Sequence, residues 1–160
     1  MISNEEIEAF LHGNDPEEFV HAKPIVEAIA GGSRLIEAIH NETPSEVNLF
    51  RGIKAESGSQ LRTLQEGQTF ELPLSSFAQK SYYAETFAGT SGERSNIKGT
   101  SIIFSLKGLA KTYVLDPEES LVQGKFKVGK ISQVRNAAGS STKVIELKQE
   151  STFDLETGAY

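Results

Sequence analysis

The chain has 160 residues, 38% of them apolar and 24% charged, which is typical of a single folded domain. Its net charge of −6, from 16 basic and 22 acidic residues, argues against a surface that binds duplex nucleic acid. It contains no cysteine, which excludes disulfides, thiolate metal sites and a cysteine nucleophile.

Residues 1–42 are predicted to form a helical N-terminal part. Asn4 can cap a first helix and Asp15 a second. Gly31-Gly32 are expected to end this run, after which Ser33 starts a third helix. The first residues lack the basic and apolar regions of a secretory signal, and no apolar run is long enough to cross a bilayer. The expected location is therefore the cytoplasm, away from membranes.

Residues 43–160 are predicted to be rich in β-strands. Short apolar or alternating segments, separated by glycines, indicate several strands, one helix and one polar loop. The strands are expected at 47–53, 68–72, 101–106, 121–122, 126–128, 131–134 and 144–147, the helix at 81–88 and the loop at 90–99. Helices followed by a sheet-rich half indicate an α+β fold, expected to form one domain over residues 1–160.

The common catalytic and metal-binding patterns do not occur in this sequence. The three histidines, at positions 12, 21 and 40, match no zinc spacing. There is no Walker loop, dinucleotide fingerprint or nucleophile elbow. No metal site is therefore predicted.

Three other segments stand out by their residue types and their order along the chain. In the first, Phe50-Arg51-Gly52, the arginine is either an exposed strand residue or a guanidinium that grips phosphate or carboxylate in a cleft. The second is Ser76-Phe77-Ala78, followed by an A-x-x-F-A sequence at 84–88. It is equally compatible with a strand–turn–helix corner capped by Ser75 or Ser76.

The third segment is acidic and precedes a predicted strand. It contains Asp116, Glu118 and Glu119, and a G-K-F-K-V sequence follows at 124–128. Acids at the start of a strand are either ordinary surface residues or, when two apart, carboxylates that face one cleft.

Arginine, serine and glutamate in this order and at these separations resemble the mono-ADP-ribosyltransferase family with its Arg–Ser–Glu motif. The similarity covers about residues 45–135, includes the G-x-x-F sequence at 67–70, and is greatest to the small phage-encoded members that modify host proteins. It implies an ADP-ribosyltransferase-like fold, in which N-terminal helices are followed by two small packed β-sheets around an NAD cleft.

The same resemblance implies an activity and a partner. The enzyme would transfer ADP-ribose from NAD, its substrate, to a target protein and release nicotinamide, without a metal. The target would present an accessible arginine. By analogy with the phage-encoded members, it would belong to the host transcription or translation machinery, in the host cytoplasm.

The resemblance also implies roles for individual residues. Arg51 would bind the pyrophosphate or ribose side of NAD, with Gly52 and Phe77 beside it. Ser76 would contact NAD and hold the catalytic glutamate by a hydrogen bond. That glutamate would stabilise the positive charge that develops on the ribose as the bond to nicotinamide breaks. An acid two residues before it would orient or deprotonate the acceptor arginine.

Two departures from the family pattern affect this assignment. Ala78 occupies the position of a second serine. The acidic register is also open, because Glu118 has Asp116 two residues before it whereas Glu119 has Pro117 there. The spacing to the G-K-F-K-V strand favours Glu118 slightly, and the apolar residues soon after the acids favour Glu119.

Two further residues lie where the family contacts its substrates. By this resemblance Tyr113 lies in the loop with which family members touch the target protein, so it either stacks on a guanidinium or belongs to the core. Arg94 lies in place of the phosphate–nicotinamide loop, where it either approaches a phosphate, as a cofactor-binding residue, or is solvated.

Several alternatives stay open at this stage. The chain is either an active transferase, a degenerate non-catalytic binding module of the same fold, or a small interaction domain with accidental motif matches. The last alternative predicts that Arg51 and Ser76 lie far from both glutamates. For an active enzyme, NAD-capped RNA is an alternative donor, and the balance between transferase and NAD glycohydrolase is open.

Overall fold

The computed structural model describes residues 30–55, 59–81, 84, 99–135 and 141–160, with the backbone alone for 30–33, 73 and 116. The two helices predicted before residue 30, most of the helix predicted at 81–88 and nearly all of the loop predicted at 90–99 lie outside this range. Among the described residues, no helix has the length and apolar character needed to span a bilayer.

One α-helix, one 3₁₀ turn and six strands have described bounds, and Ser81 and Ala84 are also helical. In chain order these are α1 (Ala30–His40), β1 (Ser45–Ala55), the 3₁₀ turn (Gln60–Thr63), β2 (Thr69–Ala78), β3 (Thr100–Ala110), β4 (Tyr113–Asp116), β5 (Glu119–Arg135) and β6 (Ser141–Ser151).

Helix α1 is the third predicted helix, but it begins before Ser33. Gly31-Gly32, expected to end the preceding helix, lie inside its first turns. A glycine costs a helix about 1 kcal/mol, and burial of Leu35, Ile36 and Ile39 offsets that cost. The sequence signal was therefore overridden by packing against the sheet.

The predicted strands at 47–53, 101–106 and 144–147 are confirmed as parts of β1, β3 and β6. β5 differs from expectation because it is one strand of 17 residues where three short strands were predicted. Its glycines at 124 and 129 lie within the strand rather than between strands. The short strand β4 was not predicted.

All six strands belong to one mixed sheet, in the order β2-β1-β3-β6-β5-β4. β2 also pairs with β5, so the sheet closes on itself through β2, β1, β3, β6 and β5. The pairs are antiparallel except β3–β6, which is parallel. The expectation of two small packed sheets was wrong in this respect, because the β1–β3, β3–β6 and β6–β5 pairings already join the strands into one sheet and the β2–β5 pairing closes it.

Three groups of apolar side chains pack within the described part, the smallest of which consists of Ala84, Ile103 and the partly buried Phe50. The main core lies between the strands and includes Phe70, Phe77, Phe104 and Phe126. A second group, the helix cluster, packs α1 against the sheet. Its buried members are Leu35, Ile36, Ile39, Leu74, Leu121 and Phe153.

An irregularity in β2 decides which of its residues face each group. The pairing with β5 shifts between Leu72 and Ser75. Leu72 packs in the main core before the shift, and Phe77 does so after it, so the inward residues change from even to odd positions. Pro73 lies at this point, and proline lacks the N–H that a regular ladder requires. As a result Ser76 points away from the main core.

A glycine lets β5 pass close to the end of β6. Gly124 has a φ of +131°, and a Cβ there would collide with the carbonyl oxygen of Ser151. The β5–β6 register also shifts just after it, between Lys125 and Phe126. Only glycine satisfies both the backbone angle and the close approach at this position.

A buried amide joins α1, β5 and the segment after β6. The side chain of Gln123 is fully buried. Its Nε2 donates to the carbonyl oxygens of Ile36 (3.3 Å) and Phe153 (3.2 Å), and its Oε1 accepts from the Phe153 N–H at 2.7 Å. These bonds satisfy backbone groups that are buried with the amide.

Candidate active site

The β2–β5 pairing brings together a serine and a glutamate that are 43 residues apart in sequence. Ala78 lies opposite Glu119, and Ser76 lies opposite Leu121. Directly opposed residues and alternate residues of an antiparallel pair share one face, so Ser76 and Glu119 are diagonal neighbours. The Ser76 Oγ donates to Glu119 Oε1 at 2.6 Å. This short bond to a carboxylate fixes the orientation of that side chain.

Arg51, on the neighbouring strand β1, contacts the backbone of Ser76 rather than its side chain. It lies in β1 between Leu49 and Ile53, on the side that packs in the main core. Its Nη1 donates to the carbonyl oxygen of Ser76 at 2.7 Å. Arg51, Ser76 and Glu119 are therefore joined by two consecutive hydrogen bonds that cross three strands.

The structure separates the two adjacent glutamates. Glu119 begins β5 and contacts Ser76, whereas Glu118 lies in the preceding turn. The Gln79 N–H donates to the Glu118 carbonyl oxygen at 2.9 Å. The Glu118 carboxylate lies 3.5 Å from Lys80 Nζ. The contact expected of the catalytic acid is thus made by Glu119 and not by Glu118, which the spacing had slightly favoured.

The register of β2, β4 and β5 also fixes where positions 78, 116 and 117 lie relative to Glu119. Position 117, two residues before Glu119, is a proline. Asp116 ends β4 and pairs with Glu119 across the β4–β5 turn, although its side chain is not described. Ala78 faces Glu119 directly, so a methyl group stands where the family pattern has a hydroxyl.

The remaining predicted site residues have different surroundings. Gly52 is buried in β1 next to Arg51, and Phe77 is fully buried in the main core. Tyr113 is partly buried and packs against the helix cluster, which agrees with its core alternative. Arg94 lies outside the described residues. Contacts of Gly52, Phe77, Tyr113 and Arg94 with substrates stay predictions.

Lys80 is the residue of this region that the sequence did not single out. It follows β2 by two residues, at the end where β2 meets Glu119. Since Ser76-Phe77-Ala78 were compatible with a turn, the direction of the chain after them was open. Extending β2 through Ala78 would have placed Lys80 beside the acids.

A cavity of about 550 Å³ lies elsewhere in the protein. It is lined by the end of α1, the end of β3 and the segment after β6, and by none of Arg51, Ser76 or Glu119. His40 Nδ1 lies 2.7 Å from Thr152 Oγ1 in its wall. Across the described ranges, no group of three or more His, Asp or Glu side chains is arranged to hold a metal ion.

No family model and no curated protein sequence matches the chain. Solved structures do match it at low identity. C3larvin toxin, an ADP-ribosyltransferase from Paenibacillus larvae, superposes with a TM-score of 0.56 and 17% identity, covering 90% of this chain and 92% of the toxin. Vis toxin, an ADP-ribosyltransferase from Vibrio splendidus, gives a TM-score of 0.55 and 16% identity over 99% of this chain and 77% of Vis.

Two further structures extend this comparison. Vis has also been solved in complex with agmatine, and that structure matches with a TM-score of 0.52 and 15% identity over 99% of this chain and 78% of Vis. The enzymatic component C2-I of the C2 toxin from Clostridium botulinum matches with a TM-score of 0.52 and 14% identity, over 92% of this chain and 44% of C2-I. The chain therefore has the ADP-ribosyltransferase-like fold, mostly β with one short helix in its described part.

Proposed function

We propose that this chain is an NAD-dependent mono-ADP-ribosyltransferase that modifies a protein and uses Glu119 as its catalytic acid. The observation that carries the proposal is the 2.6 Å hydrogen bond from Ser76 Oγ to Glu119 Oε1 within an ADP-ribosyltransferase-like fold. Ser76 and Glu119 are two of the three motif residues, and Arg51, the third, donates to the Ser76 backbone.

The geometry suits cleavage of the bond between nicotinamide and ribose. The bond electrons leave with the nicotinamide nitrogen, and positive charge develops on the ribose ring. A carboxylate held in place before the reaction stabilises that charge more in the transition state than in the ground state. Ser76 supplies this constraint for Glu119. Arg51, hydrogen-bonded to the Ser76 carbonyl oxygen, has a permanent positive charge of the kind that binds a phosphate of NAD.

Arginine is the acceptor that the proposal favours. In the family pattern an acid two residues before the catalytic glutamate accompanies an arginine acceptor. Pro117 occupies that position here, so the acid must come from a neighbour, and Asp116 and Glu118 are both adjacent in sequence. Vis, of similar fold, has been solved with agmatine, whose guanidinium group is that of an arginine side chain.

Pro117 also favours one alternative activity. An enzyme with a positioned Glu119 and no acid for the acceptor would cleave NAD and transfer the ADP-ribosyl group to water. The second candidate is therefore an NAD glycohydrolase, and a protein that cleaves no NAD would be a non-catalytic module of the same fold. The host target, the host cytoplasm, NAD-capped RNA as donor and the single-domain assignment stay predictions.

Nicotinamide release from NAD tests the proposal. We expect release by the purified protein and a loss of about 100-fold or more in Glu119→Gln, because removing one such electrostatic contact typically costs 10²–10³ in rate. Glu46→Gln is the matched control, since Glu46 is exposed at the start of β1. Equal rates in Glu119→Gln and the unaltered protein would refute the assigned acid.

Label transfer then separates the alternatives. The protein is incubated with NAD labelled in its adenosine part and a bacterial lysate, and labelled bands identify a protein target. Nicotinamide release without labelled bands would indicate the glycohydrolase. If the protein neither releases nicotinamide nor labels any band, it is the non-catalytic module of the same fold.

A further inference from the structure

The inference concerns the Lys80–Glu118 pair and rests on the proposed function. The pair continues the β2–β5 ladder outward from the site. Ala78 lies opposite Glu119, the next residues are joined by the 2.9 Å bond from Gln79 N–H to the Glu118 carbonyl, and Lys80 Nζ then lies 3.5 Å from Glu118 Oε1. A carboxylate and an ammonium are thus held immediately outside the Ser76–Glu119 contact.

Exposure makes this pair easy to rearrange. The side chains of Lys80 and Glu118 are 57% and 52% exposed. Ion pairs at such exposure are weak and are screened by salt, so the pair contributes little to folding. A cation that approaches Glu118 from solvent can replace Lys80 as the partner of its carboxylate. By contrast, Glu119 is partly buried and bonded to Ser76.

We infer that Glu118 is the acceptor-side acid of this enzyme and that Lys80 sets its specificity by competing for it. The family position for such an acid holds Pro117, and the Pro117-Glu118 turn frees Glu118 from the strict alternation that a strand would impose. A guanidinium binds a carboxylate through two parallel N–H bonds, whereas a lysine ammonium offers a point charge. An arginine therefore displaces Lys80, and a target lysine gains no advantage over it.

The transfer step balances with Glu118 as the proton acceptor. The bond from ribose C1′ to the nicotinamide nitrogen breaks, and its electron pair leaves with nicotinamide. A guanidinium nitrogen of the acceptor forms the new bond to C1′ and loses one proton to Glu118, which passes it to water. The products are ADP-ribosylated arginine, nicotinamide and one proton.

The test measures how the ADP-ribosyl group is divided between agmatine and water. Nicotinamide release and ADP-ribosyl-agmatine are quantified together over a range of agmatine concentrations. We expect Glu118→Gln to lower the ratio of transfer to hydrolysis about tenfold or more. We expect Lys80→Met to raise that ratio several-fold and to lower the KM for agmatine, because the competing ammonium is gone. Lys148→Met and Glu146→Gln, exposed on β6, are the matched controls and should change neither quantity.

A double-mutant cycle separates this role from a merely structural pair. If Lys80 acts through Glu118, Lys80→Met has no effect on the ratio in the Glu118→Gln background. An unchanged ratio in both single variants, with normal nicotinamide release, would overturn the inference while leaving the proposed function intact. Absence of nicotinamide release from the unaltered protein would refute the proposed function and the inference together.

Discussion

Replacing Ser76 by alanine removes the hydroxyl that fixes Glu119 and leaves the strand in place. Ser76 donates to Glu119 Oε1 at 2.6 Å, which is a charge-assisted bond between partly buried groups. The Arg51 bond to the Ser76 carbonyl does not depend on the side chain and is retained in the variant. The change therefore isolates the constraint on the carboxylate.

The expected loss follows from the strength of such a bond. Hydrogen bonds to charged groups contribute about 1.5–3 kcal/mol. If the whole contribution is expressed in the transition state, kcat for nicotinamide release falls about 10- to 150-fold, since each 1.4 kcal/mol is tenfold. The KM for NAD should change much less, because the Ser76 hydroxyl is hydrogen-bonded to Glu119 and the Ser76 backbone is unchanged.

Ser75→Ala is the matched control. Ser75 is the neighbouring strand residue and is almost completely buried, on the side that faces the main core. Its loss should lower the free energy of unfolding by about 1 kcal/mol but leave kcat per folded molecule unchanged. Steady-state nicotinamide release and urea unfolding of both variants provide the comparison. Equal effects of the two changes on kcat would refute the argument that Ser76 positions Glu119.

Three further predictions concern stability. Gly124→Ala should lower the free energy of unfolding by about 3 kcal/mol or more, whereas Gly67→Ala, which also has a positive φ but open space around it, should cost about 1 kcal/mol, as measured by urea unfolding. Gln123→Leu leaves two buried carbonyls and one buried N–H without their partner, so a loss of about 3 kcal/mol is expected, and a near-neutral result would contradict the role of the amide. Burial raises the pKa of Tyr160, and the negative charge of Glu71 raises it further. The phenolate is therefore disfavoured in the folded state, so stability should decline as the pH rises above about 10, the ordinary tyrosine value. Thermal unfolding at pH 9 and pH 11 should show a smaller decline in Tyr160→Phe, and an equal decline would contradict this assignment.

Long apolar strands were the part of the fold most accessible from sequence. β1, β3 and β6 each contain an apolar segment that was recognised directly. β5 was predicted as three strands because glycines usually indicate turns. Gly124 instead lies within the strand, where it allows the backbone to pass close to Ser151. The closure of the sheet through β2 and β5 joins residues about 50 positions apart, and local patterns carry no information on such pairing.

The candidate site was predictable in its composition but not in its register. Arg51, Ser76 and an acid at 118–119 were selected from their order alone. The choice between Glu118 and Glu119 depended on which residue lies diagonal to Ser76, and the shift in β2 between Leu72 and Ser75 sets that geometry. An irregularity of this kind reverses every side chain beyond it, so counting residues along the strand could not resolve the two acids.

The closed sheet has a consequence for how the molecule is assembled. β3 and β4 lie between β2 and β5 in the chain, so the β2–β5 pairing closes a long loop, which is entropically costly. Ser76 and Glu119 come together in that same event. Recovery of NAD cleavage during refolding should therefore report ring closure, and it should lag behind signals from locally formed structure such as α1.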